Sequence, residues 1–327
     1  MFCSFNFYGK VVHLKVSNPT AFLEIKRFWK AFQSQQKNKS PDVIFEILKF
    51  PQTYFSLFKP QYFYTDQFIF LLDRHTLVTC HFDQIPWRIY VQYFDHHNNE
   101  RQSGQLVYGV FGLLLRAVLK RFGYFQLHSA AVSNRKYGIL IPGRTGSGKT
   151  TTALMMLQEN FKLVADDQVF LKKENSSVQA LGFARDLSLT RESISFFPKL
   201  SFLNHQPSIR KGRRFKKTMS PKQLLHLFPD QATQKTKINY IFFPCFSKHA
   251  KTKIQRISKL NALARLLNVE SQERYRLLIK DDFSLKSELE IFSELCEKAK
   301  SYDLLISKKD RNVSHYILDA IAAGASY

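Results

Sequence analysis

Residues 137–154 read YGILIPGRTGSGKTTTAL, and FKLVADD follows at 161–167. The first stretch opens on an apolar strand-like run, passes through a glycine-rich loop and enters a helical segment. The second is another strand-like run, closed by two acids. Strand, loop, helix and strand in that order imply a parallel βαβ unit, because a crossover of about a dozen residues can bring the second strand back parallel to the first. The expected class is therefore α/β.

Within the loop, Gly143-Arg144-Thr145-Gly146-Ser147-Gly148-Lys149-Thr150 satisfies GxxxxGK[ST], the Walker A pattern. The chain has only 12 glycines, and three of them fall in this loop, so a glycine-rich composition does not produce the pattern. Each part has a chemical reason. Glycines let successive N–H groups turn inward toward phosphate oxygens, and the helix start adds the positive end of its dipole. Lys149 reaches the β- and γ-phosphates and Thr150 ligates magnesium. Gly143 to Thr151 is thus the candidate nucleotide-binding segment, with ATP and Mg2+ as the implied ligands.

FKLVADD places Asp166 and Asp167 one helix and one strand after Lys149, at the C-terminal end of a strand expected beside the loop's own strand, where open α/β sheets place ligands. An acid so close in sequence suits P-loop kinases, in which it holds metal or takes the proton of the attacking hydroxyl. Adjacent strand residues point to opposite faces, so the two acids are not expected to share one role. His128 lies in the run YFQLHSAAV (124–132), read as one strand. If Val132 pairs with Gly138 across the turn SNRK, His128 falls opposite Pro142 at the mouth of the loop.

Away from the loop, FNFYGKVVHLKV (5–16) reads as a strand and Thr20 to Phe32 as a helix. FIFLLD (68–73) and TLVTCHF (76–82), linked by Asp73-Arg74-His75, suggest a hairpin, with WRIYVQYF (87–94) as a further strand. The patch DHHNNERQSG (95–104) reads as a loop and Gln105 to Phe122 as a buried helix. This divides the chain into a smaller α+β N-terminal domain, residues 1–105, and a loop-bearing domain, residues 106–327. In the latter, INYIFFP (238–244) and YDLLIS (302–307) are candidate strands. Asn261 to Val269 and Ser287 to Ala299 are candidate helices, the second opening on Ser287 and Glu290 at capping-box spacing.

LHSAAV, YGILIPGRTGSGKTTTAL and FKLVADD together resemble the C-terminal domain of HPr kinase/phosphorylase and its HPr-kinase-like relatives, P-loop serine kinases related in fold to phosphoenolpyruvate carboxykinase. The likeness covers residues 127–167, with weaker similarity in ARDLSLTRESI (184–194), INYIFFP, ISKLNALARLL (257–267) and YDLLIS. It implies that Asp166 acts as the base on the substrate hydroxyl, that His128 supports it, and that Asp167 assists the metal with Thr150. It also implies an oligomer, since HPr kinases assemble into hexamers. The EVRG-type signature of true HPr kinases is not found after Asp167, where LGFARDLSL (181–189) stands. That departure speaks against HPr as the substrate and against a phosphorylase back-reaction.

Composition narrows the alternatives. The chain has 327 residues, 44% hydrophobic, which excludes disorder throughout. Leu106 to Leu119 is interrupted by Arg116, too short and too charged for a membrane span. The first residues, MFCSFNFYGK, lack the basic head and apolar run of a secretory signal, and four scattered cysteines suit a reducing cytoplasm. The charge is +23, and residues 201–260 alone hold 14 Lys+Arg against Asp230. The densest run, RKGRRFKK (210–217), suits a solvated loop first, phosphate or acidic-substrate docking second, and nucleic acid third. No zinc-finger spacing or RNP motif accompanies it. The expectation is a cytoplasmic ATP-dependent serine kinase acting on a peptide or protein, with a nucleic-acid-responsive switch or a pseudokinase as the alternative.

Overall fold

The apolar run ahead of the glycine-rich loop, Gly138–Pro142, forms a strand with all five residues buried. Its alternation divides the side chains between two cores. Ile139 and Ile141 join one apolar cluster and Leu140 the other, so both faces of the sheet are covered and the strand reads as continuous hydrophobicity. The structure is a computed structural model and describes residues 1–34, 39–50, 62–64, 69–72, 76–94, 111–182, 185–211, 214–247, 251–271, 282–307 and 310–325. The chain divides into two units, Met1–Arg121 with Arg274–Leu285, and Phe122–Glu273 with Lys286–Tyr327. The whole is a mixed α/β protein with several sheets.

In the second unit, Gly138–Pro142 belongs to a six-stranded sheet, ordered Lys162–Ala165, Ser129–Ser133, Gly138–Pro142, Tyr240–Ser247, Lys300–Ser307 and Lys253–Arg256. The strand after the loop's helix is parallel in direction to Gly138–Pro142, as expected, but it is not its neighbour. Ser129–Ser133 lies between them, antiparallel to both. Tyr240–Ser247 and Lys300–Ser307 extend the sheet in parallel on the other side, where INYIFFP and YDLLIS were expected to supply strands. Helix Lys149–Gln158 buries Ala153, Leu154, Met155, Met156 and Leu157 in the cluster that holds Ile139 and Ile141. At roughly 1.5–3 kcal/mol for each fully buried large side chain, this packing fixes the helix behind the loop.

Three expectations change here. The run 124–132 is not one strand. Phe125–Leu127 joins a separate four-stranded sheet, Ser129–Ser133 joins the six-stranded one, and His128 sits at the break. The register is also one residue off the expected pairing: Gly138 faces Ser133 and Pro142 faces Ser129. His128 therefore lies just past the last pair, where its carbonyl accepts from the Gly143 N–H at 3.3 Å. The helix expected from Ser287 spans Asp282–Lys298, so Ser287 is internal to it and caps nothing.

The basic run 210–217 is not a loop throughout. Ile209–Lys211 and Arg214–Met219 pair as a hairpin, and Arg214–Met219 also pairs with Leu187–Leu189. Helix Pro221–Leu227 follows, opened by a capping box in which Ser220 and Gln223 satisfy each other's backbone.

The first unit carries a seven-stranded mixed sheet. The stretch read as one strand at 5–16 is a hairpin, Phe2–Phe7 and Lys10–Val16, turning at Tyr8-Gly9 with φ of 55° and 96°. Helix Pro19–Phe28, capped by Asn18, buries Ala21, Phe22 and Ile25. Ile69–Leu72 and Thr76–His81 pair antiparallel as expected, and Trp87–Phe94 lies beside Thr76–His81. Residues 73–75, the patch 95–104 and residues 105–110 of the expected helix lie outside the described residues; Gly112–Arg121 is helical. Among the described residues no helix is long and apolar enough to cross a membrane.

Candidate functional site

The glycine-rich loop bridges the Gly138–Pro142 strand and the Lys149–Gln158 helix. Gly146 and Gly148 have φ of 85° and 106°, backbone conformations that side chains with a Cβ rarely adopt. A Cβ at Gly148 would also stand 3.2 Å from Ile306. The helix has no side-chain cap, so its first N–H groups, which have no intrahelical acceptor, are turned toward the loop. Lys149 is buried, and its Nζ reaches back across the loop to donate to the carbonyls of Gly143 at 2.8 Å and Arg144 at 3.1 Å. Ser147 Oγ is buried with no hydrogen-bond partner among the described residues. Uncapped N–H groups, an inward lysine and an orphaned hydroxyl make a cradle suited to an anion with several oxygens.

Strand Lys162–Ala165 ends just before the two acids, which occupy a tight turn. Gln168 N donates to the Asp166 carbonyl at 2.9 Å, and Asp167 between them has φ of 70°. This i→i+2 turn is an uncommon conformation of the kind that concentrates at functional sites. It also sends the carboxylates to different partners. Thr150 Oγ1 donates to both oxygens of Asp166, at 3.0 and 2.9 Å, while His128 Nε2 stands 2.9 Å from Asp167 Oδ1. His128 was expected to support Asp166; its neighbour is Asp167.

The two carboxyls differ in acidity. Burial, reinforced by the neighbouring Asp167 charge, pushes Asp166 up to about 6 despite the pull of Lys149, the Thr150 hydrogen bond and Lys216. For Asp167, whose side chain is exposed, partial desolvation by the surrounding protein acts upward, but the hydrogen bond and charge of His128, then Lys149 and Arg185, outweigh it and hold the carboxyl well below the usual range. A Thr hydroxyl and an aspartate form the oxygen donor set a hard divalent cation accepts. Magnesium commonly takes one or two carboxylates and completes its shell with water and phosphate, so Thr150 and Asp166 fit that ion.

Loop and acids border a cavity of about 680 Å³. Thr145, Gly146, Gly148, Lys149, Thr150 and Thr151 line it, as does Asp167; Gly143, Arg144, Ser147, Asp166 and His128 are not among its lining residues. Arg144 instead donates to Asn268 at 3.2 Å. Sequence reading missed the rest of the lining. There, Thr190 caps the short helix Arg191–Ser195, and Ser193 shares a 2.8 Å hydroxyl contact with Thr151. Phe246 and Ile306 give the cavity an apolar side, and Lys216 of the basic hairpin adds a cation. The capping spacing of Thr190 and Ser193 was a readable signal. Lys216 had none, since a run of cations does not reveal which one faces inward.

No family model matches the chain, and no curated protein matches it. Among solved structures, it is similar to the HPr(Ser) kinase/phosphatase from Coxiella burnetii over 62% of this chain and 94% of that one, at 13% identity and a TM-score of 0.28.

Proposed function

We propose that this chain is an ATP-dependent kinase of the HPr-kinase-like kind, transferring the γ-phosphoryl group of ATP to a hydroxyl, with a serine of a peptide or protein as acceptor. The observation that carries this reading is the convergence on one cavity of the Gly146–Thr151 cradle and Asp167, backed by Asp166 and His128. Lys149 and the loop N–H groups would hold phosphate. Thr150 and Asp166 would hold magnesium, which when bound neutralises charge on the β- and γ-phosphates. Asp167, exposed on the cavity beside His128, would take the acceptor's proton, with His128 fixing its orientation. This reverses the division of labour implied by the family resemblance, and the partners of each acid support the reversal.

The test is nucleotide binding by the full chain in the presence of magnesium. Lys149 makes charge-assisted hydrogen bonds worth about 1.5–3 kcal/mol, so Lys149→Ala should weaken Mg-ATP binding roughly 10- to 100-fold. Equal affinity in both proteins would remove the reading. The alternative, a nucleic-acid-responsive switch, draws on the 14 basic residues of 201–260.

A further inference from the structure

The basic hairpin is chemically two-sided. In strand Arg214–Met219 the register sets Lys217 opposite Leu189 and Met219 opposite Leu187, and neighbouring side chains alternate between faces. Lys217 is tied down on one face, where its Nζ donates to the carbonyls of Asn204 and Gln206. Lys216, on the other face, lines the cavity that also holds Lys149, Thr150 and Asp167, as does its neighbour Phe215. Lys216 is half-buried there, and among the described residues its Nζ makes no hydrogen bond or ion pair. Its charge reaches the Asp166 carboxyl. A half-buried ammonium with no hydrogen bond or ion pair of its own among the described residues favours an incoming anion that supplies one.

We propose that Lys216 is the second cation on the transferring phosphoryl group, reaching the cavity it shares with Lys149 from a different element. This rests on the kinase reading above and assigns part of its site to an element outside the glycine-rich loop. In the transfer, the bond from the γ-phosphorus to the bridging oxygen breaks, its electrons leaving with ADP. A bond to the acceptor oxygen forms, and the acceptor's proton passes to Asp167. Lys216 exchanges no proton and makes no bond. It stabilises the charge spread over the three equatorial oxygens, which is greatest in flight. The hairpin that carries it is also the most basic stretch of the chain, so an acceptor approaching past it meets positive potential.

The test needs no identified acceptor. Mg-ADP with aluminium fluoride imitates a phosphoryl group in flight, and its affinity is compared with that of Mg-ADP alone by calorimetry on the full chain. Wild type should bind the fluoride complex more tightly. Lys216→Ala should keep its Mg-ADP affinity within about threefold while losing on the order of 100-fold of the gain from fluoride, and Lys216→Arg should restore most of it. If Lys216→Ala does not fold, Lys216→Gln carries the same comparison. An undiminished gain in these variants would overturn the role of Lys216 and leave the kinase reading intact. So would a wild type that binds Mg-ADP and gains nothing from fluoride. A wild type that binds no Mg-ADP would overturn both.

Discussion

Asp166 and Asp167 are adjacent in the chain, yet one is held back from ionising and the other is held ionised, a separation that often marks divided roles in acid–base chemistry. The folded-state pKa of Asp166 is raised from an ordinary 3.8 to about 6, so its contribution to stability is full below about pH 4 and is lost as pH rises through 6. At about 1.4 kcal/mol per pH unit, ionising it costs the ligand-free fold up to roughly 3 kcal/mol. Asp166→Asn removes that cost. Relative to wild type, its melting temperature should rise between pH 4.5 and pH 7.5, and an offset equal at both pH values would contradict this account. Under the kinase proposal, turnover and magnesium dependence separate the same pair. Asp167→Asn should lower turnover about 100- to 10,000-fold with little change in Mg-ATP affinity, whereas Asp166→Asn should chiefly raise the magnesium requirement. The opposite pattern would return the base to Asp166, as the family resemblance implies.

Elements that announce their own boundaries were legible in the sequence. The strand of Gly138–Pro142, the glycine-rich loop, the Lys149–Gln158 helix and the strand at Trp87–Phe94 stand where composition and punctuation place them. What failed to show was settled by partners distant in sequence. YFQLHSAAV reads as one strand because no glycine or proline marks the point at which the chain leaves one sheet for another at His128. The one-residue register error at Gly138 follows from a turn whose length leaves two pairings open. The basic run 210–217 resembles a loop because it lacks apolar alternation; its strands pair with each other as a hairpin, and Lys217 pairs with Leu189. Gly182, just beyond the strand Ser177–Leu181, shows how such distant contacts set the site. A Cβ there would stand 1.8 Å from the Val164 carbonyl oxygen, two residues before Asp166. Gly182→Ala must push that strand end aside, so it should destabilise the fold by roughly 1–3 kcal/mol and lower turnover, although Gly182 is not among the lining residues of the cavity. A variant with wild-type melting and activity would show that the acids do not depend on this close approach.

Across the whole molecule, the +23 charge creates a field that favours any anion, and binding alone therefore does not identify the partner. Salt dependence does. A nucleic acid engaging six to ten phosphates should lose about 10³- to 10⁵-fold in affinity between 50 and 200 mM salt, because each neutralised phosphate releases counterions. Mg-ATP, held by one enclosed cradle with little net charge, should lose on the order of fivefold or less over the same range. For a kinase whose acidic acceptor approaches past the hairpin, rising salt should lower kcat/KM for that acceptor and leave kcat nearly constant, since screening weakens encounter more than the chemistry within the cavity. RNA or DNA that raised ATP turnover at 50 mM salt and lost the effect by 200 mM would instead assign the basic segment to nucleic acid. The cavity would then be the motor of a nucleic-acid-responsive switch, and the serine-kinase reading would give way.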